Sequence, residues 1–420
     1  MKKTMTILLL AACVGLASLA ANGNSEEKGM AQTKTKLSFW ALTTRREAID
    51  PIIAEFNKEN PTLEVVPSYY GIDGIKDACK VAASSKTLPN MWFNWGGALG
   101  GFYSDNGLTY NLNDISSEKN WDQTFSKGAL NLCIRNGELT GYPTSYNVLG
   151  FYYRKDIFAK YNIAVPQTFE EFEQACKTLS DNGIIPISTA GKYGWHVMRF
   201  VELLIEHYAG ADLHDQMNTF QKSYNNDAVI KALTKYQEFV AKGYFPQGFV
   251  TTDPNDTKLL MYSGKAAMTI EGQWNDGTLQ NDKQDFNKYG FFAFPSGGTN
   301  RMSAFAEMTQ FNVNNTNEEL NGCIKFMDYY YNQDNVAKYA PFYTLPLPRT
   351  DATMPEGQPF VPVMLQTANT NGTFTITDQA LPTEVANVLF NVQDGLAYNQ
   401  LTPTQGAKMI QDAINTYQNK

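Results

Sequence analysis

Three tryptophans stand just past short apolar runs: Trp40 after "LSF", Trp95 at the end of "MWFNW" and Trp274 after "MTIEG". Each run reads as a buried strand, and Gly272 marks the end of the last one. An indole just beyond a strand end is poorly placed to join a core and well placed to face a cleft. In open α/β sheets, ligands sit beyond the carboxyl ends of the strands. Asn94, Glu271, Asn275 and Glu307 are candidates to supply donors and acceptors. Rings that stack on apolar C–H faces, with polar groups that satisfy hydroxyls, suit a sugar. The polar groups matter because a buried unpaired one costs about 1–3 kcal/mol. By base rate a tryptophan at a strand end packs in a core more often than it serves a ligand. Several of them in one acidic chain shift the weight towards a site.

Other chemistries find less support. The net charge is −8, with no cluster of Lys and Arg, so nucleic acid is not an expected partner. With 3 histidines, no HExxH and no Cys/His cluster, a metal site is not expected, and no cofactor is implied. There is no GxSxG. The Gly-rich "NWGGALGG" is neither GxGxxG nor GxxxxGK[ST]. A glycosidase needs two facing carboxylates, and Glu271, Asp276 and Glu307 cannot be paired from sequence alone. That enzyme reading stays open as the alternative to a binding protein.

The elements that would position these residues alternate from residue 36 onward. "KLSFWAL", "TLEVVPSYY" and "NMWFNW" read as strands. They are separated by helices over "REAIDPIIAEFNKENP" and "GIKDACKVAASS", the βαβ rhythm of a mostly parallel sheet. "LGFYYR" opens a second series. In "TFEEFEQACKTLSDNG", Thr168 and Glu171 form a capping box, Phe172, Cys176 and Leu179 form the apolar stripe, and Gly183 closes the helix. Strands "GIIPIST" and "KAAMTIEG", the apolar helix "WHVMRFVELLIEHYAG", strand "MTQFNVNN", helix "NEELNGCIKFMDYYYNQ" and a closing helix follow. At 420 residues the chain is too long for one ordinary core and predicts two lobes.

The N-terminus reads as an export signal. Lys2 and Lys3 precede an apolar stretch too short to span a bilayer, with cleavage expected after Ala20. "LAAC", ending at Cys13, competes as a lipid-attachment site. Residues 21–35 read as a flexible tether. Export permits disulfides, yet Cys79, Cys133, Cys176 and Cys323 read as four small buried hydrophobes, with one bridge left open.

Taken in order, "KLSFWAL…IIAEFNKENPTLEV", "LPNMWFNWGGALGGFYSDNGL", "GELTGYPTSYNVLGFYYRKDIFAKYNIAVPQTFEEFEQACKTLSDNGIIPI" and "YSGKAAMTIEGQW" resemble the carbohydrate-binding family of extracellular solute-binding proteins of bacterial ABC importers. The resemblance implies an α/β, two-lobed periplasmic-binding-protein fold of the class II kind, with a hinge crossed three times and a cleft between the lobes. Lobe 1 is expected over residues 36–142 plus 296–340 and lobe 2 over 147–290 plus 346–420, with crossings near 143–147, 290–296 and 340–346. It implies a monomeric receptor, exported to the periplasm or cell surface. The receptor hands a carbohydrate to an inner-membrane permease, a homodimer or heterodimer with its ATPase.

The expected ligand-binding residues are Trp40, Arg45, Asn94, Trp95, Tyr146, Tyr193, Trp195, Glu271, Trp274 and Glu307. Trp274 matches the family's sugar-stacking ring. Two departures bear on the ligand. Asn90 replaces the usual Asp. Gly97 and Ala98 replace the acid-base pair that maltose-binding members carry after "MWFNW". Arg45 and Arg46 at a helix N-terminus oppose its dipole. Local pairing with Glu47 or Asp50 accounts for them, and the sharper alternative is an acidic sugar or sugar phosphate. Tyr329 to Tyr331, similar to tyrosine-based ferric sites, cannot share one helix face and read as half core, half surface.

Overall fold

The computed structural model describes residues 34–419 except 299, 351, 353 and 355. The expected cleavage after Ala20 and the competing attachment at Cys13 lie outside these residues. The tether ends earlier than expected, because Thr35 already pairs with Leu63 in the sheet.

The strands named from sequence all form. Thr35–Leu42 lies parallel to Leu63–Tyr70 on one side and to Met91–Trp95 on the other. Helix Arg46–Glu59 buries Ala48, Ile49, Ile52, Ile53 and Phe56, the stripe that a 3.6-residue period places on one face. Helix Phe169–Asp181 starts from a complete Thr168–Glu171 capping box. Helix Trp195–Asn218 is broken at Gly210, whose φ of 70° only glycine adopts cheaply.

The sheet is less parallel than the sequence rhythm implies. In strand order it runs Leu63–Tyr70, Thr35–Leu42, Met91–Trp95, Met302–Phe311, Tyr142–Arg154, Ala266–Gly272, Ile185–Ile187. The two long strands in the middle, Met302–Phe311 and Tyr142–Arg154, are antiparallel to each other. Tyr142–Arg154 pairs through its first half with Met302–Phe311 and through its second half with Ala266–Gly272 and Tyr289–Phe292. It therefore runs through both lobes as one strand, and "LGFYYR" is only its second half.

Two large cores flank this junction. One gathers Leu37, Phe39, Ile52 and Phe56 with Phe326 and Tyr330. The other gathers Phe151, Phe172, Phe200 and Phe239 with Leu389 and Ile410. Each fully buried Leu, Ile or Phe contributes about 1.5–3 kcal/mol. Core membership changes between Tyr142 and Leu149. It changes twice more along the chain. Tyr289–Phe292 still pairs with the far half of the long strand, and the switch falls between Phe305 and Ala306. Leu345 and Leu347 still belong to the first core, so the third falls between Leu347 and Phe374. Cys79, Cys133, Cys176 and Cys323 are all free and buried. Tyr330 and Tyr331 are buried and Tyr329 is half-buried.

Candidate ligand-binding cleft

Strand Ala266–Gly272 is buried almost throughout and delivers its last side chains to the junction. A Cβ at Gly272 would collide with the indole of Trp274, so the glycine lets that ring fold back over the strand end. The ring leans on Phe305 at 5.6 Å, and its Nε1 donates to Glu271 Oε2 at 3.1 Å.

Glu271 is the centre of a buried cluster. Arg199 Nη1 donates to its Oε2 at 2.9 Å, and His196 Nε2 stands 3.3 Å from its Oε1. His196 Nδ1 accepts from the Ala190 N–H, which leaves Nε2 as the protonated nitrogen that faces Glu271. Burial would raise the Glu271 pKa, but Arg199 and His196 outweigh it and hold the carboxyl at about 2. Burial keeps the pKa of His196 below its ordinary value. The Arg199 guanidinium also lies over two indoles, 4.8 Å from Trp195 and 5.2 Å from Trp274.

The other lobe supplies a second pair. Glu307 sits in register opposite Trp95 on one side and Ser145 on the other. It accepts from Arg45 Nη2 at 2.6 Å and Ser145 Oγ at 2.9 Å. Arg45 therefore does not pair locally, because its guanidinium turns inward over Phe93 at 5.1 Å to reach Glu307. Arg46 does pair locally, with Asp50 at 3.0 Å.

The lobes touch across the gap. Trp195 Nε1 donates to Asp73 Oδ1 at 3.1 Å, and Lys76, paired to Asp73, lies 4.8 Å from Trp95. Between these groups is a cavity of about 410 Å³. Six of the ten expected residues line it: Arg45, Trp95, Trp195, Glu271, Trp274 and Glu307. Asn94 and Tyr193 line an adjoining cavity instead. The Asn94 amide is spent on Gln310 and on the Trp95 N–H.

Trp40 and Tyr146 line neither. Trp40 packs at a tilt on Tyr70 at 4.9 Å against a small outer core, and Tyr146 packs beside Gly128 with its hydroxyl on Thr373. Their sequence positions carried no hint that alternate sides of a strand face away from the cleft.

Lys76, Arg199, Asp378 and Tyr343 line the first cavity without having been expected there. Arg199 carried a signal, since a cation inside the apolar run "WHVMRFVELL" needs a buried partner. Four cations on the wall (Arg45, Lys76, Arg199, Lys258) stand against four carboxylates (Glu271, Asp282, Glu307, Asp378), so the cavity has no net formal charge.

Residues 51–359 match the family model described as bacterial extracellular solute-binding protein. The chain belongs to that family. This solute-binding protein is 24% identical over 343 residues, 78% of either chain, to the multiple sugar-binding protein of Streptococcus mutans. It is 25% identical over 303 residues to the melibiose/raffinose/stachyose-binding protein MelE of Bacillus subtilis, covering 68% of this chain and 66% of the other.

Among solved structures, a chitin oligosaccharide binding protein superposes with a TM-score of 0.84 at 20% identity over 91% of this chain and 98% of that one. A maltose-bound T. maritima MalE3 gives 0.77 at 18% identity over 91% and 99%. The fold is the two-lobed α/β fold of these proteins. Among the described residues no helix is long and apolar enough to cross a membrane.

Proposed function

We propose that this protein is the substrate-binding component of an ABC-type carbohydrate import system. It captures a neutral mono- or oligosaccharide between its lobes and presents it to a membrane permease coupled to an ATPase. The observation that carries this reading is the wall of one cavity: three indoles, Trp95, Trp195 and Trp274, among charges that cancel. Indole faces stack on the C–H faces of pyranose rings, and the paired carboxylates and arginines offer fixed acceptors and donors to hydroxyls.

Trp274 is assigned the main stacking role. Glu271 and Glu307 are assigned as acceptors, and Arg45 and Arg199 as their holders. The reading as a receptor rather than a glycosidase is supported by Glu271. A carboxyl held near 2 by Arg199 and His196 is no general acid at neutral pH. A neutral ligand is supported by Arg45, whose charge Glu307 already answers. Export is supported by the extracellular family that residues 51–359 match, with lipid attachment at Cys13 as the alternative to cleavage after Ala20.

The test is a thermal-shift screen of the purified protein against neutral sugars, oligosaccharides, acidic sugars and sugar phosphates. A ligand at about 100 times its Kd adds roughly 2.7 kcal/mol and raises Tm. A shift with a neutral sugar supports the reading. A shift with acidic sugars alone would replace it with the anionic alternative, and no shift with any carbohydrate would overturn it.

A further inference from the structure

Gln273 and Gln379 are buried, and each spends its side-chain amide on the backbone of one of the two long strands. Strand Ala266–Gly272 pairs with Tyr142–Arg154 only as far as Leu149, opposite Gly272. The next residue, Gln273, takes up the ladder with its side chain. Its Oε1 accepts from the Val148 N–H at 2.8 Å, and its Nε2 donates to the Tyr146 carbonyl at 3.1 Å.

Strand Met302–Phe311 carries the same device. Along one edge it pairs with Thr373–Thr375 up to Ala304, and with Met91–Trp95 from Glu307 onward. Ala306 lies in the gap. Gln379 Oε1 accepts from its N–H at 3.3 Å, and Gln379 Nε2 donates to its carbonyl at 3.0 Å, beside the Gly96 N–H at 2.9 Å. Both gaps fall where a long strand passes from one core to the other.

A glutamine amide offers a donor and an acceptor, as a peptide does, so it satisfies backbone groups that would otherwise be buried unpaired. A neighbouring strand holds its partner in a fixed register, whereas an amide on a flexible side chain can follow its partner through a bend. Hinges are a few positions that absorb such changes. Both glutamines also adjoin the cavity wall. Gln273 separates Gly272 from Trp274, and Gln379 follows Asp378.

We infer that Gln273 and Gln379 are positioning residues of the hinge, whose amides keep the two crossing strands paired as the lobes close and carry that movement to the segments that bear Trp274 and Asp378. The inference rests on the carbohydrate reading above and extends it to how closure is coupled to the site. Gln273 lines neither cavity, so its effect on binding runs through the strand and not through a contact with sugar.

The test is calorimetric titration of wild type, Gln273→Met, Gln273→Glu, Gln379→Met and Gln379→Glu with the sugar that gives the largest thermal shift, from pH 8 to pH 5. Each Kd is divided by the wild-type value at the same pH, so that the titration of His196, Asp276 and Asp378, common to every protein, cancels. Methionine keeps the length and removes both hydrogen bonds, so the sugar binds about tenfold or more weakly at every pH. An ionised glutamate has acceptors only and faces a carbonyl, so at pH 8 the loss is at least as large. Burial raises the pKa of such a carboxyl. At pH 5 its proton restores the donor, and affinity returns to within about threefold of wild type. The nearly isosteric glutamate variants carry the test if the methionine variants do not fold.

A Tm that falls while Kd stays within about twofold of wild type at every pH makes the glutamines part of the core alone and overturns the inference. A loss confined to one of the two glutamines also overturns it, as does a glutamate loss that does not recover on acidification. In these cases the receptor reading stands, because wild type binds. A wild type that binds no carbohydrate overturns that reading and this inference with it.

Discussion

Arg199 Nη1 lies 2.9 Å from Glu271 Oε2, on a helix and a strand 72 residues apart, with the guanidinium over the indoles of Trp195 and Trp274. The pair is largely buried, at 8% and 16% side-chain exposure. Its main effect is to fix the carboxylate that also holds the Trp274 indole. Removing one charge leaves the other buried without an answer.

Glu271→Gln is therefore expected to cost about 2–4 kcal/mol in urea unfolding at pH 7. The folded pKa is depressed from 4.5 to about 2. The contribution is present above about 4.5 and is lost as pH falls through about 2. The gap between wild type and variant should accordingly narrow on acidification. A gap that is constant from pH 7 to pH 3 would show that the ion pair is not its source.

Glu202 gives the opposite pH dependence. It is buried on the long helix and accepts from the Thr377 N–H at 2.9 Å and its hydroxyl at 3.0 Å, which anchors the segment that carries Asp378. Burial raises its pKa from 4.5 to about 8, against the pull of the Thr377 hydrogen bonds. A raised folded pKa contributes stability that is full below about 4.5 and lost as pH rises through about 8. Glu202→Gln keeps an acceptor and removes the titration. Relative to wild type it should gain about 1–3 kcal/mol between pH 5 and pH 9. Parallel stability profiles for the two proteins would contradict this.

Arg45 is expected to serve Glu307 rather than an anionic ligand. Arg45→Met leaves Glu307 buried and unpaired on the cavity wall, so affinity for the neutral sugar should fall by about tenfold or more. Binding of acidic sugars should not fall more steeply than that. A variant that loses acidic sugars selectively would restore the anionic reading.

Gly272→Ala tests the placement of the stacking ring without touching it. The new methyl meets the indole of Trp274 and forces it off Phe305. The expected result is a stability loss of about 1–3 kcal/mol together with weaker sugar binding. Unchanged binding would mean that the ring does not need this seat.

Much of the fold was legible because local signals agreed with it. The Thr168–Glu171 box, the Ile49–Phe56 stripe and the apolar run before Gly272 each have a short-range cause. The lobe crossings were harder to read. A strand that passes through two successive cores shows no exposed gap between them, and every residue of Tyr142–Arg154 is buried except the half-buried Tyr146. Met302–Phe311 is buried at all 10 positions and hides its crossing in the same way.

At the site, the tryptophans after Gly272 and "MWFN" stood out by type, whereas nothing in "GIKDACKVAASS" singles out Lys76. Arg45 had carboxylates nearby in sequence, and its actual partner lies 262 residues away. Trp40 shared the pattern of Trp95 and yet turned outward, since strand alternation sends neighbouring positions to opposite faces.

The central claim, that a neutral sugar stacks on Trp274 between the lobes, is tested most directly by calorimetric titration of wild type, Trp274→Phe and Trp274→Ala with the sugar that gives the largest thermal shift. Phenylalanine keeps a ring face and loses the N–H on Glu271, so a loss of about tenfold is expected, with about a hundredfold or more for alanine. If both variants fold and bind that sugar as tightly as wild type does, Trp274 is not the platform and the proposed site is wrong.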